Sequence, residues 1–283
     1  MSIFESEFFQ NSKFHWDFLQ KYEKKEQWEI LSNQFKERSL NASKIQKIPK
    51  TIHQIWIGPQ KLPNRYRSWM KSWLKYNPEY KYILWRDKDI EKLKMINHKK
   101  FKEANNPGIK SDIARYEILY LYGGIYIDTD FECISKIPDI LHNYDFVSST
   151  IFDFKPCIAN GFMMSKNKSK VLKEIIKNLK LVNKEFNIND TIINIGPGLL
   201  TREYFKLKKE IRVKYLILPS NFFYPYPNFL LSSNYKRYEM IEQNSIGLHH
   251  WEMSWMKGDL VSRIKRKFKK YFKLLVKASK KLI

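Results

Sequence analysis

The segment SDIARYEILYLYGGIYIDTD, residues 111–130, decides the fold, because a helical pattern, a glycine pair and an acidic strand end follow one another without a linker. Ser111 can cap a helix that begins at the next residue, and Gly123-Gly124 can end it. A short apolar strand follows. If the glycine pair folds this strand back along the helix, the end of the strand lies beside the start of the helix.

That fold-back predicts a polar cluster. Asp112 and Arg115 share one face of the helix at spacing i, i+3, and the fold-back places them next to Asp128 and Asp130. The cluster then lies at the carboxyl end of a strand, where α/β sheets usually bind ligands, and the helix N-terminus adds partial positive charge there. Two carboxylates on one side of an extended chain can face one hard divalent cation, which prefers oxygen ligands. Glu132 points to the same side and is assigned to the rim.

Alternating strand and helix patterns between residues 50 and 130 predict an α/β fold with a mostly parallel sheet. We divide the chain into an N-terminal helical extension over residues 1–45, a central α/β domain over 46–258 and a basic amphipathic helix over 259–283. The segment NIGPGLLTREYF, residues 194–205, is expected to be a loop because of its glycine and proline residues.

The 283 residues carry a formal net charge of +23, which indicates a polyanionic partner: nucleic acid, an anionic membrane or a phosphorylated substrate. Much of the surplus lies in residues 259–283, where apolar residues recur at helical spacing on a basic background. This pattern favours a helix in the plane of an anionic membrane, although a packed helix with a solvated basic face has the same pattern. We expect no nucleic-acid partner, because the charge is concentrated in this tail and no binding motif is present.

No stretch of the sequence reaches the roughly 18 uninterrupted apolar residues of a membrane span, and the first residues do not follow the pattern of a signal peptide. The two cysteines, Cys133 and Cys157, are too few for a disulfide scaffold and lack zinc-site spacing. The sequence therefore predicts a cytoplasmic protein.

The segment 111–130 resembles the signature of glycosyltransferase family 32, whose members carry an Asp-x-Asp motif. The family includes yeast α-1,6-mannosyltransferases and bacterial polysaccharide enzymes, and clostridial glucosylating toxins share the block more distantly. Further matches cover about residues 48–256, and they occur in the expected order: IPKTIHQIWIGP (48–59), NGFMMS (160–165), GPGLLT (196–201) and HHWEMSW (249–255).

The resemblance implies a GT-A fold, a nucleotide-sugar donor, a divalent metal (Mn²⁺ or Mg²⁺) and transfer with retention of configuration. Carried over by position, Trp56 would stack on the nucleotide base. Asp112 and Arg115, with Ser111 beside them, would hold the hydroxyls of the donor sugar. Trp56 as a core residue is the alternative, because aromatic side chains on strands usually pack.

The resemblance also places Tyr126 and Asp128 near the ribose and diphosphate, and makes Asp130 a direct metal ligand. His250, with His249 behind it, is the candidate for the last ligand. Glu252 stands where a small residue is expected and leaves that ligand open.

Ser254 and Trp255 would lie over the diphosphate of the donor. His53, in contrast, lies within the first predicted strand, and we expect it to be a hydrogen-bonded core histidine.

These inferences predict a metal-dependent retaining hexosyltransferase, with UDP-galactose or UDP-glucose as the favoured donor. The expected acceptor is a glycan or lipid-linked oligosaccharide of a bacterial surface polysaccharide, such as a capsule, O-antigen or lipooligosaccharide. The enzyme would lie at the inner face of the cell membrane, peripherally bound through its basic C-terminal helix. A GDP-mannose-dependent mannosyltransferase, a toxin-like protein glycosyltransferase and a nucleic-acid-binding protein are the alternatives.

Overall fold

A computed structural model describes residues 25–43, 45–151, 156–181, 187–231, 236–252 and 254. The predicted basic helix over 259–283 and Trp255 lie outside the described residues, as does the first half of the predicted extension over 1–45. No helix among the described residues is long and apolar enough to cross a membrane.

The centre of the fold is a six-stranded sheet, and a two-stranded sheet lies beside it. The strands are β1 (Thr51–Ile55), β2 (Lys81–Trp85), β3 (Gly124–Ile127), β4 (Phe131–Cys133), β5 (Phe146–Thr150), β6 (Ile158–Ser165), β7 (Tyr215–Leu218) and β8 (Gly247–His249). The large sheet has the order β2-β1-β3-β6-β5-β7, and in it only β6 runs antiparallel to its neighbours. The predicted α/β class with a mostly parallel sheet is confirmed.

Helices surround the central sheet. The α-helices of the described chain are α1 (Lys25–Asn41), α2 (Asn64–Tyr76), α3 (Asp87–Glu91), α4 (His98–Glu103), α5 (Pro107–Tyr122), α6 (Lys170–Asn178), α7 (Ile188–Asn194), α8 (Pro197–Lys206) and α9 (Lys209–Arg212). Short 3₁₀ turns are found at Asp139–Asn143, Ser220–Phe222, Asn228–Leu230 and Arg237–Met240. Strands β3 and β6 are buried along their whole length, as expected for strands inside a sheet that is covered on both faces.

Helix α1 belongs to the same hydrophobic core as the central sheet. Its side chains Trp28, Leu31 and Phe35 are buried, and the Phe35 ring meets Phe222 edge to face. This part of the predicted N-terminal extension therefore packs on the domain.

Helix α5 begins earlier than the sequence analysis predicts. Its N-cap is Asn106, whose side chain accepts hydrogen bonds from the backbone N–H groups of Gly108 and Ile109, and Pro107 occupies the first turn. The prediction that Ser111 caps this helix is wrong, because an Asn cap followed by proline is the stronger start signal. The loop predicted over residues 194–205 is wrong for a related reason, since Pro197 begins helix α8.

The predicted fold-back between helix and strand is confirmed. Gly123 ends α5 with φ +67°, and Gly124 opens β3 with φ +99°. A Cβ atom at Gly124 would lie 2.6 Å from the carbonyl oxygen of Thr51, so the close approach of β3 to β1 requires glycine.

His53 supports this turn from β1 as a core histidine, as predicted. Its Nε2 lies 3.0 Å from the carbonyl oxygen of Gly123, and its Nδ1 lies 3.1 Å from the indole N–H of Trp85. Nδ1 therefore accepts while Nε2–H donates, which defines a neutral imidazole. Burial lowers the pKa of His53 to about 4.

Candidate active site

Asp128 follows the last residue of β3, and the neighbouring strands on both sides hold its backbone. The Asp128 N–H donates to the carbonyl oxygen of Gly161 in β6 at 2.9 Å. The side-chain amide of Gln54 in β1 donates to the Asp128 carbonyl oxygen at 3.0 Å. The position of this carboxylate is therefore fixed by the sheet.

The Asp128 side chain accepts a hydrogen bond from the hydroxyl of Tyr126 at 2.6 Å and pairs with Arg115 at 3.2 Å. Burial raises the pKa of Asp128, and the opposite charge of Arg115 works against that rise. Tyr126 is itself buried, and the Arg115 guanidinium lies 4.5 Å from the centre of its ring. In this structure the hydroxyl of Tyr126 orients the carboxylate of Asp128.

Asp112 and Arg115 form a buried ion pair at 2.8 Å, at the spacing that the sequence predicts. Asn160 in β6 contacts both residues of this pair. Its side-chain amide donates to Asp112 Oδ1 at 2.9 Å, and its backbone carbonyl oxygen accepts from Arg115 at 2.8 Å. Burial raises the pKa of Asp112 to about 6, although the charge of Arg115 opposes this.

The fold-back therefore brings Asp112, Arg115 and Asp128 together as predicted. The predicted contribution of the helix N-terminus is wrong, because α5 begins at Pro107 and the helix dipole acts mainly on the first turn.

Asp130 lies between β3 and β4, against the end of β8. Its Oδ1 is 3.1 Å from His249 Nε2, and its Oδ2 accepts from the backbone N–H of Glu252 at 2.9 Å. Burial alone would raise the pKa of Asp130, but the charge and hydrogen bond of His249, together with the Glu252 N–H, lower it to about 2. These contacts therefore favour the ionised form of the Asp130 carboxylate.

Asp128, Asp130 and His249 each offer one ligand atom, and these atoms all lie within 4.8 Å of one another. The set of two carboxylate oxygens and one imidazole nitrogen fits a divalent cation, and the nitrogen suits Mn²⁺ better than Mg²⁺. In addition, His249 Nδ1 is buried and has no hydrogen-bond partner among the described residues. The residues present therefore fit the metal that the sequence predicts.

His250, the predicted ligand, is not brought to the aspartate pair, and His249 takes that place. The reason is strand register: β8 pairs with β4 so that His249 lies opposite Phe131. The His250 ring faces away from Asp130, stacks on Trp69 with ring centres 3.9 Å apart, and hydrogen-bonds Glu132 at 3.0 Å.

The other predicted site residues lie around this centre. The Ser111 hydroxyl is 3.3 Å from that of Tyr126. Trp56 is buried, donates from its indole N–H to the carbonyl oxygen of Gln60 at 2.8 Å, and contacts the Tyr66 ring. Ser254 is exposed, and its role over the diphosphate stays a prediction.

Sequence reasoning missed Gln54 and did not choose between a ligand contact and a turn for Asn160 and Gly161. Asn160 and Gly161 both lie inside β6, where Asn160 hydrogen-bonds the Asp112–Arg115 pair. A Cβ atom at Gly161 would lie 2.6 Å from Asp128 Oδ2, so this position leaves room for the carboxylate. The available signal was an Asn-Gly pair inside an otherwise apolar strand pattern.

Residues 63–147 match the family model described as "Glycosyltransferase sugar-binding region containing DXD motif". The matched segment holds the helix, the turn and the strand that bring Asp112, Arg115, Asp128 and Asp130 together. Residues 63–147 of this chain are therefore similar to the sugar-binding region of DXD-type glycosyltransferases. The predicted resemblance and the predicted enzyme class are confirmed.

Several curated relatives of this chain have names that refer to mannosyl transfer. Inositol phosphoceramide mannosyltransferase 3 of Schizosaccharomyces pombe is 29% identical over 161 residues, which are 54% of this chain and 44% of the relative. Mannosyl phosphorylinositol ceramide synthase SUR1 of Saccharomyces cerevisiae is 31% identical over 165 residues, which are 56% of this chain and 42% of the relative. The chain spans about half the length of the curated relatives it matches.

Solved structures with a similar chain path include toxin domains. The catalytic domain of α-toxin from Clostridium novyi is 13% identical, with a TM-score of 0.49 over 83% of this chain and 86% of that one. The ligand-free glycosyltransferase domain of the YGT toxin is 11% identical, with a TM-score of 0.47 over 65% of this chain and 84% of that one. The fold itself is α/β with a mostly parallel central sheet, as the sequence analysis predicts.

Proposed function

We propose that the domain transfers a hexose from a nucleotide sugar to a glycan or glycolipid acceptor, with retention of configuration and with Mn²⁺ or Mg²⁺ as cofactor. One observation carries the proposal: the carboxylates of Asp128 and Asp130 and the imidazole of His249 meet beside the buried Asp112–Arg115 pair. A site for a cation thus adjoins a site whose polar atoms suit sugar hydroxyls.

The metal would be held by Asp128, Asp130 and His249, and when bound it would neutralise the charge that develops on the leaving diphosphate. Asp130 is suited to this role because its carboxylate lies against His249 and is oriented by the backbone N–H of Glu252.

Asp112 has Oδ1 bound to both Arg115 and Asn160, while its Oδ2 accepts no hydrogen bond from the described residues. Asp112 can therefore accept a hydrogen bond from a donor-sugar hydroxyl, and we assign it to binding rather than to nucleophilic attack. Arg115 would keep its carboxylate neighbours fixed.

The sequence analysis and the names of the curated relatives favour different donor sugars. The sequence analysis favours UDP-galactose or UDP-glucose, whereas the names of the curated relatives favour mannose, for which GDP-mannose is the corresponding donor. We therefore give GDP-mannose the same weight as the UDP-hexoses.

The acceptor is proposed to be carried on a lipid, since the relatives' names include inositol phosphoceramide. A bacterial surface polysaccharide, made at the inner face of the cell membrane, would provide such an acceptor. Docking through residues 259–283 belongs to this proposal, as does the division into an extension over 1–45 and a catalytic domain over 46–258. A toxin-like protein glycosyltransferase is the alternative.

The test is a panel of nucleotide sugars incubated with the purified chain and Mn²⁺, scored for released nucleoside diphosphate. We expect release from one donor, loss of release with chelator, and loss in Asp130→Asn. Asp139→Asn is the matched control, because Asp139 is an exposed carboxylate that pairs with Lys50 and not with a residue of the site. Release that chelator leaves unchanged, or full activity in Asp130→Asn, would refute the metal-dependent mechanism.

A further inference from the structure

A second group of polar and aromatic side chains adjoins the metal site and takes no part in it. Glu132 accepts hydrogen bonds from His250 at 3.0 Å and from the hydroxyl of Tyr238 at 2.9 Å. Arg237 lies 3.1 Å from the other ring nitrogen of His250. Trp69 supports this imidazole by parallel stacking. We call these five residues the rim group.

The rim group holds an exposed aromatic ring in a fixed position. Tyr238 is 58% exposed, yet its hydroxyl is bound to Glu132, and Glu132 is held in turn by the buried His250. An exposed tyrosine that served only solubility would not need a carboxylate and a stacked imidazole behind it.

The rim group is directly connected to the metal site. The backbone N–H of His250 donates to the carbonyl oxygen of Asp130 at 2.9 Å, and His250 directly follows His249. The rim group therefore adjoins the cation position through Asp130 and β8, whereas the Asp112–Arg115 pair adjoins it through Asp128.

The chemistry of the rim group fits a sugar ring. One face of a pyranose is lined by C–H groups that pack on an aromatic ring, and its hydroxyls pair with carboxylate and guanidinium groups. The nearby rings of Phe222, Phe223, Tyr224 and Tyr226 are buried, so none of these four offers a comparable exposed face.

We propose that the rim group is the subsite for the acceptor sugar, with the Tyr238 ring as its platform and with Glu132 and Arg237 as partners for its hydroxyls. This proposal rests on the proposed glycosyltransferase function, in which the donor sugar binds at the Asp112–Arg115 pair.

The first experiment measures binding and needs no turnover. Saturation-transfer NMR is recorded with methyl α-mannopyranoside, methyl β-galactopyranoside and methyl β-glucopyranoside, while the aromatic protons of the protein are irradiated. We expect transfer to the C–H protons of at least one glycoside in the wild type and in Tyr238→Phe, and its loss in Tyr238→Ala. Equal transfer in Tyr238→Ala, or none to any glycoside in the wild type, would overturn the proposal.

The second experiment uses the donor that the panel identifies. In Tyr238→Ala the KM for the glycoside acceptor should rise about three- to tenfold, the effect of losing one aromatic contact, while the KM for the donor stays constant. Tyr76→Ala, which removes another exposed ring, should match the wild type. A change in donor KM instead would assign Tyr238 to the nucleotide and overturn the proposal. Failure of every donor would refute the proposed function, yet the NMR result would still decide on the subsite.

Discussion

Replacing Arg115 by methionine should destabilise the protein strongly, because this buried guanidinium compensates two partly buried carboxylates. Arg115 is 6% exposed and contacts Asp112 at 2.8 Å, Asp128 at 3.2 Å and the carbonyl oxygen of Asn160 at 2.8 Å. Removing one partner of a buried ion pair costs about 3–5 kcal/mol, since the remaining charge stays buried without compensation. We expect a loss of that size in the free energy of unfolding at pH 7.5, measured by urea denaturation with tryptophan fluorescence.

The loss in the free energy of unfolding that Arg115→Met causes should also depend on pH. Burial raises the pKa of Asp112 to about 6 in the folded protein, above its ordinary 3.8, so ionisation of Asp112 reduces stability as pH rises through this range. Without Arg115 the folded-state pKa rises further, and the reduction extends to higher pH. Arg115→Met should therefore be less costly at pH 5, where Asp112 is protonated, than at pH 7.5.

The matched control is the double variant Arg115→Met/Asp112→Asn. It removes one of the two uncompensated charges, so its loss at pH 7.5 should be smaller than the sum of the single losses by at least about 1 kcal/mol. A single-variant cost below about 1 kcal/mol, a cost equal at pH 5 and 7.5, or additive losses would each refute the buried-charge reasoning.

The remaining predictions concern three positions around the site. Protonation of His53 should contribute a loss of about 3 kcal/mol in the free energy of unfolding as pH falls from 6.5 towards 4, because the unfolded state protonates His53 first. This contribution is opposite in sign to that of Asp112, and His53→Gln should remove it from the urea-measured pH dependence. Gly161→Ala should abolish metal-dependent donor turnover, because its Cβ would displace the Asp128 carboxylate; an active variant would contradict this. Gly124→Ala should lower the melting temperature more than Gly58→Ala does. Both glycines have positive φ, but of the two only Gly124 would bring its Cβ against neighbouring backbone. Equal losses would show that the contact with β1 is unimportant.

The sequence was sufficient to predict those parts of the site that depend on local geometry. Asp112 and Arg115 are one helical turn apart, and a glycine pair joins their helix to the strand of Asp128, so their convergence follows from spacing and turn chemistry. The start of the helix was harder to predict, because two capping signals compete and Asn106 outweighs Ser111.

The parts that depend on pairing between distant strands could not be predicted. Asn160 reaches the Asp112–Arg115 pair because β6 enters the sheet between β3 and β5, which is a property of topology. The choice of His249 over His250 is set by the register of β8 on β4, and a shift of one residue would exchange them. Glu132 has no role in the metal site, but it belongs to the rim group.

The most direct test of the account is Mn²⁺ binding to the purified chain, measured by electron paramagnetic resonance with saturating GDP or UDP. We predict one bound Mn²⁺ in the wild type, and an affinity lower by at least about tenfold in Asp130→Asn and His249→Gln. His250→Gln should bind Mn²⁺ as the wild type does, because His250 faces Glu132 and Trp69. A wild-type protein that binds no Mn²⁺, or a loss in His250→Gln as large as in His249→Gln, would contradict the metal site formed by Asp128, Asp130 and His249.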